Sequence, residues 1–350
     1  HKGIVPMRRG GRLRRRYYVS SRGRNPDRRM GSKSILQVVP EECIMNAHDD
    51  RKEAQTMHFC QQLFVQNEVN ANMIYRKSLK DRKRIVIKIG SSSLLHPETG
   101  RLNYHRIDHL AEELSDLKNQ GKEVILVSSG ATAVGREVLG EDRGILALGT
   151  GKMSRKQACA SIGQARLIMI YQKFFEEYNQ LTSQILISKT TIVNPTSRQN
   201  LESTIEELLS IGVIPIVNEN DVVATLEYKL GDNDSLSAMV ASILKADLLI
   251  LLSDVDGLYT DDPRSNLDAK FIEYVPELTD QIMNMGKETT GSGVGTGGMN
   301  TKLHAAKMAT ASGCDMLIVN TKNGVRVIAD AVNGENVGTL FCAKEDPAFD

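Results

Sequence analysis

Between Val217 and Ala238 the sequence reads VNENDVVATLEYKLGDNDSLSA, a stretch crowded with carboxylates and carboxamides. It lies between a β-branched apolar run, Val213 to Val217, and a helical pattern carried by Leu236, Met239, Val240 and Ile243. Its two polar clusters, Asn218 to Asp221 and Asp232 to Asp234, therefore stand at element ends, where an open α/β sheet presents its ligand crevice. One cluster alone reads as a turn, or as an N-cap whose charge complements the helix macrodipole. Two of them flanking one short hairpin point to a binding site.

Lys88 interrupts the apolar run RIVIKIG. Lysine is rare in such a place unless its ammonium meets an anion or snorkels from the strand end. Beside it stand Gly90, Ser91 and Ser92, small enough to let backbone N–H groups approach a ligand, and the combination favours a phosphate. A second lysine, Lys302, closes the run GSGVGTGGMNTK from Gly291. Gly293, Gly295 and Gly298 have the GxGxxG spacing, yet ETTGS rather than a strand precedes them, and the glycine that a Walker A loop places before its lysine is missing. What remains is a glycine loop at a helix start with a lysine one turn in, suited either to covering phosphates or to acting as a hinge. Asp254 and Asp256 in SDVDGLYTDDP read on spacing alone as turn residues. The seven histidines form no HxxxH or HExxH pair and no Ser/His/Asp set, so metalloprotease and triad-hydrolase chemistry find no support.

The elements that must position these groups follow from periodicity. RIVIKIG, EVILVSSGA, the apolar residues of ILIS (Ile185 to Ser188), VIPIVNEND, Leu248 to Leu252 and DMLIVN read as buried strands. Helices are expected from an Asn103 cap through Leu117, over Ser154 to Tyr178, over Leu201 to Ser210, from Asp234, over Met299 to Ser312, and after Asn323. Regular alternation of this kind predicts an α/β fold, a mostly parallel sheet with helices on both faces, and no second domain.

With 350 residues and 41% hydrophobic content, the chain has material for a large core. Five cysteines without a CxxC pair suggest a reducing, cytoplasmic setting and no zinc site. No apolar run approaches the roughly 20 residues of a membrane span. The first 33 residues hold twelve Lys and Arg against Asp27 alone, leaving 32 basic and 42 acidic residues in the remainder, a balance that argues against nucleic acid as a partner of the folded part. Residues 1–72 are accordingly expected to be a basic extension, disordered or foreign to the fold, and residues 73–350, opening with MIYRKSLKDRKRIVIKIG, the domain.

Taken in order, KRIVIKIGSSSL, SSGA, VNENDVV with GDNDSLSA, LLSDVDGLYTDDP and GTGGMNTK resemble the amino acid kinase family, over Lys83 to about Phe341. The pairing of NEND with GDND favours the branch that phosphorylates glutamate. The resemblance implies a three-layer αβα sandwich and ATP-dependent phosphorylation of the γ-carboxylate of L-glutamate to L-glutamyl 5-phosphate, the first step of proline biosynthesis. It implies ATP as co-substrate with Mg²⁺, no metal held by protein ligands alone, homo-oligomers, and feedback inhibition by L-proline. Residue by residue, it implies catalytic roles for Lys88 and Lys302 with Asp234 orienting them, and glutamate contacts from Ser129, Asp221 and Asn233. ATP contacts are implied for Lys88, Ser253, Asp254, Thr296, Gly297, Gly298, Met299, Asn300, Thr301 and Lys302. The sequence stops at Asp350, short of the C-terminal RNA-modification-type domain that many members carry, and the kinase domain is expected to stand alone. Aspartokinase, acetylglutamate kinase and uridylate kinase share the expected fold. A non-catalytic amino-acid or nucleotide sensor on the same fold would be expected to lose a lysine or the glycine loop, and both lysines are present.

Overall fold

The structure, a computed structural model, describes residues 69–140, 153–223, 232–286 and 298–347. Helix α1 occupies residues 69–77 and passes into a 3-10 turn, Ser78–Asp81. There follow β1 (Arg84–Ile89), α2 (Ser91–Leu94), α3 (Tyr104–Asn119), β2 (Glu123–Ser128), α4 (Ala131–Leu139), α5 (Met153–Glu177) and β3 (Leu181–Ile187). Next come α6 (Lys189–Val193), α7 (Pro195–Ser210), β4 (Val213–Glu219), α8 (Asn233–Ile243) and β5 (Leu248–Ser253). The remainder comprises β6 (Leu258–Tyr259), β7 (Phe271–Ile272), β8 (Tyr274–Val275), α9 (Asp280–Met285), α10 (Met299–Ala311), β9 (Asp315–Asn320), α11 (Val327–Val332) and β10 (Thr339–Phe341).

Eight strands form one sheet in the order β3-β4-β2-β1-β5-β9-β10-β8, and β6 pairs with β7 separately. From β3 to β9 every pairing is parallel, whereas β10 runs antiparallel to β9. Parallel strands joined by helical crossovers are covered on both faces, which is why β1, β2, β4 and β5 are almost unbroken apolar runs. Alternation then divides β1 between two cores. Ile85, Ile87 and Ile89 pack with Leu110, Tyr171 and Phe175 of α3 and α5. Val86 packs with Leu236 and Val240 of α8 and Leu303 of α10. Lys88 lies two residues beyond Val86, so the same alternation carries its side chain toward α8 and α10.

Several starts differ from the sequence expectation. β3 begins at Leu181 rather than Ile185, and α7 at Pro195 rather than Leu201. β3 is an edge strand whose first residues stay partly exposed, so they lack the apolar run that marks an interior strand. α7 opens with a polar turn capped by Asn194 with proline at its first position, a signal carried by the cap rather than by hydrophobic periodicity.

The boundary expected between Asn72 and Met73 falls inside α1. Asn72 is buried, and its Oδ1 accepts from Arg76 Nε at 2.8 Å. Arg76 is itself fully buried and donates to the carbonyls of Glu335 (3.3 Å), Val337 (2.8 Å), Glu273 (2.8 Å) and Gly338 (3.0 Å). Its guanidinium thus ties α1 to the chain around β8 and β10. The basic N-terminal segment lies outside the described residues.

Helices α4 and α5 cross backbone on backbone. A Cβ on Gly135 would sit 1.8 Å from the carbonyl oxygen of Cys159, and one on Gly163 would sit 1.8 Å from that of Ala131. Only glycine permits that approach, and it fixes where the N-terminus of α4 meets the sheet edge.

Candidate active site

Because the central strands are parallel, the C-terminal ends of β1, β2, β4, β5 and β9 open on one edge, and two helices start there against each other. Asp232 caps α8 by accepting from Ser235 N, which places Asp234 in the first helical turn and almost wholly buried. Gly298 precedes α10, so Lys302 lies one turn in, and it too is buried. Lys88 Nζ meets Asp234 Oδ1 at 2.5 Å, and Lys302 Nζ meets Asp234 Oδ2 at 3.0 Å. Thr301 adds a hydroxyl 3.2 Å from the same Oδ2.

Burial pushes the Asp234 carboxyl up, but Lys88 and after it Lys302 pull it further down, to about 2. One carboxylate therefore holds two buried ammoniums, and the cluster keeps an excess of one positive charge. A Cβ on Gly90 would lie 3.4 Å from Lys88 Nζ, so glycine leaves the approach to that ammonium open.

A cleft of about 800 Å³ lies on one side, lined among others by Ser129, Gly130, Asn218, Asp221 and Asn233. Gly130 takes a φ of +102° as the chain turns from β2 into α4, a conformation suited to glycine. Asn233 Nδ2 donates to Ser129 Oγ (2.7 Å), to the Ser128 carbonyl (3.2 Å) and to Asn218 Oδ1 (3.2 Å). The cleft thus offers hydroxyls, amides and the Asp221 carboxylate, a donor set for a small zwitterion.

A second cleft, of about 360 Å³, shares the Lys302 end of the cluster and is lined by Asp254, Val255, Tyr259, Met285 and Met299 among others. Ser253 is buried at the end of β5. Asp256 accepts from Tyr259 Oη (3.2 Å) and Asn320 Nδ2 (2.7 Å), a turn and lining residue at once. Met285, Met299 and Val255 give this cleft an apolar lining that can hold a flat ring. Sequence reasoning named Met299 through the family resemblance but missed Val255 and Met285, since Val and Met at such spacing look like core. It also missed Asn218 as the hub of the amide cluster and Gln164 behind it.

The structure brings together Lys88, Lys302 and Asp234, and groups Ser129, Asp221 and Asn233 around one cleft. Gly298, Met299, Asn300 and Thr301 open α10 beside the second. Thr296 and Gly297 lie outside the described residues. Among the described residues, no group of three His, Cys, Asp or Glu is arranged to hold a metal ion, and no helix is long and apolar enough to cross a membrane.

Comparison with known proteins identifies the family. The profile of the "Amino acid kinase family" matches residues 83–320. The glutamate 5-kinase of Clostridium perfringens is 46% identical over 274 residues, covering 77% of this chain and 99% of that protein. The glutamate 5-kinase of Listeria innocua is 46% identical over 277 residues, covering 77% and 97%. That of Carboxydothermus hydrogenoformans is 46% identical over 272 residues, 77% of this chain and 70% of its own length. Among solved structures, UMP kinase from Ureaplasma parvum superposes with a TM-score of 0.52 at 17% identity, covering 75% of this chain and 99% of that one. UMP kinase from Bacillus anthracis gives 0.52 at 19%, covering 75% and 97%. At that identity the likeness concerns the fold alone.

Proposed function

The chain belongs to the amino acid kinase family and sits with its glutamate 5-kinases, and on that premise we propose how its residues phosphorylate the γ-carboxylate of L-glutamate with ATP, the step that opens proline biosynthesis. The observation that carries the proposal is the single Asp234 carboxylate gripping both Lys88 and Lys302 between two clefts. Glutamate takes the larger cleft and ATP the smaller, so that the γ-phosphoryl group comes to the lysines.

A γ-carboxylate oxygen attacks the γ-phosphorus, the bond from that phosphorus to the β,γ-bridging oxygen breaks, and ADP leaves with the electron pair. No proton has to move, because a carboxyl with a reference pKa near 4.3 is already ionised at neutral pH. Phosphoryl transfer asks the protein for position and charge neutralisation. Lys88 and Lys302 supply the charge, and Asp234 holds their ammoniums in place before substrate arrives. Mg²⁺ enters as part of Mg-ATP and adds positive charge on the phosphate oxygens.

Asp221 and the Asn233 carbonyl oxygen are assigned to the α-ammonium of glutamate, and Ser129 with the backbone at Gly130 to a carboxylate. Ser253, Asp254 and the run from Thr296 to Lys302, whose last residues open α10, are assigned to the nucleotide. L-Proline presents the same α-ammonium and α-carboxylate, which supports competition for the larger cleft. The exposed leucines 181 and 186 on edge strand β3 support self-association. The buried free thiols of Cys159, Cys314 and Cys342 support a reducing cytoplasm.

Hydroxylamine trapping tests the reading. With Mg-ATP, glutamate should yield γ-glutamyl hydroxamate and ADP, while aspartate and N-acetylglutamate should yield little. Hydroxamate formed preferentially from either of the latter would move the chain to another branch of the family.

A further inference from the structure

We infer that Gln164, on α5 and outside the residues assigned to substrate above, is a positioning residue that braces Asn218 and, through it, the Asn233 amide that meets the amino acid. The inference rests on the larger cleft being the glutamate site. Gln164 Oε1 accepts from Asn218 Nδ2 at 2.8 Å. Asn218 Oδ1 in turn accepts from the backbone N–H of Glu219 at 2.9 Å and from Asn233 Nδ2 at 3.2 Å. Asn233 Nδ2 also reaches the Ser128 carbonyl at 3.2 Å.

An amide side chain can in principle turn end for end, so the sense of such a chain must come from groups that cannot turn. Two backbone groups supply it. The Glu219 N–H can only donate, which makes the facing atom of Asn218 its oxygen and sends its nitrogen toward Gln164. The Ser128 carbonyl can only accept, which makes the facing atom of Asn233 its nitrogen. Gln164 must then offer its oxygen to Asn218, and Asn233 must leave its own oxygen for the cleft. Among the described residues that Asn233 oxygen receives no hydrogen bond. It is an acceptor held ready for a cation, and the α-ammonium of the substrate is the cation present.

Gln164 holds the far end of the relay. Without its acceptor, Asn218 Nδ2 loses its partner, and the amide against which Asn233 rests is held at one end only. Asn233 then loses the fixed position from which its oxygen meets the ammonium. Gln164 is only half-buried on a helix, and Met, Lys and Glu are all good helix formers, so the three substitutions should be tolerated by the fold.

The experiment is steady-state kinetics on the full chain, varying glutamate and ATP separately, with melting temperatures alongside. Gln164→Met removes the acceptor and Gln164→Lys replaces it with a donor. Both should raise the glutamate KM by about tenfold or more, with kcat falling by less and the ATP KM within about twofold. Gln164→Glu keeps an acceptor in place and should restore a glutamate KM within about threefold of wild type. Wild-type-like glutamate KM values in both Gln164→Met and Gln164→Lys would overturn the inference, as would a Glu variant as impaired as the Met variant, which would mean packing alone. A wild-type chain that fails to phosphorylate glutamate would instead bring down the reading of the cleft, and this inference with it.

Discussion

At the scale of single residues, the site is governed by buried charge. Lys88 and Lys302 are both buried yet share one carboxylate, so each has attraction left for the oxygens of a transferring phosphoryl group. Replacing either with alanine is expected to lower kcat by roughly 100-fold or more, about 3 kcal/mol of transition-state stabilisation, with melting temperature little changed. Turnover within threefold of wild type would remove that lysine from the transfer. Asp234 behaves differently because it answers to pH as well as to substrate. Its folded carboxyl is held down at about 2 against an ordinary value of 3.8. A depressed carboxyl stabilises the fold above its ordinary pKa, and that contribution fades as pH falls toward the folded value. Denaturant titrations should therefore show wild-type stability dropping between about pH 4 and pH 2, and Asp234→Asn showing less of that drop. At neutral pH the same variant should be less stable by about 3–5 kcal/mol, since it leaves buried ammoniums without their anion.

At the scale of elements, the site depends on two helix starts and one close crossing. α8 delivers Asn233 to the larger cleft and Asp234 to the lysines because Asp232 caps it at the right residue, and α10 delivers Lys302 one turn in. The crossing of α4 over α5 sets the turn at Gly130. Gly163→Ala would press a methyl group into the Ala131 carbonyl, and it is expected to cost at least about 1–3 kcal/mol in urea unfolding while raising the glutamate KM more than the ATP KM. A stable variant with unchanged kinetics would show that the helices can part without disturbing the cleft. These elements were unevenly legible in the sequence. β1, β2, β5 and β9 announce themselves because burial on both faces forces continuous apolar runs. The first residues of β3 and α7 do not, since an edge strand and a polar first turn carry no such pattern. Lys88 stood out because a lysine in a buried strand needs a reason. Spacing alone marks Asp234 as part of a helix cap; its orienting role comes only from the family resemblance, because Lys88 and Lys302, which close on it, lie far away in the chain. Gln164 could not be found by spacing, because its partner Asn218 is 54 residues away and joined to it only by the fold.

At the scale of the whole molecule, the N-terminal helix belongs with the domain. Arg76 donates to the carbonyls of four residues near β8 and β10, and Asn72 completes the set. A chain starting at Val69 should match full-length protein in melting temperature and kcat/KM at physiological salt. A chain starting at Met73 loses the Asn72 acceptor and should melt several degrees lower, as expected for about 1–3 kcal/mol in a domain of this size. A Val69 start that melts lower than full length would place part of the preceding segment in the fold.

The same guanidinium also imposes an order of events during synthesis. Arg76 leaves the ribosome ahead of the carbonyls at Val337 and Gly338, which lie 261 and 262 residues later. At about 5–20 residues per second, its final partners appear roughly 13–50 s after it does. Of its four carbonyl partners only that of Glu273, 197 residues on, is made well before the others, so the set stays incomplete until the end of that interval. Among the described residues, the first helix to be made is therefore among the last to be secured.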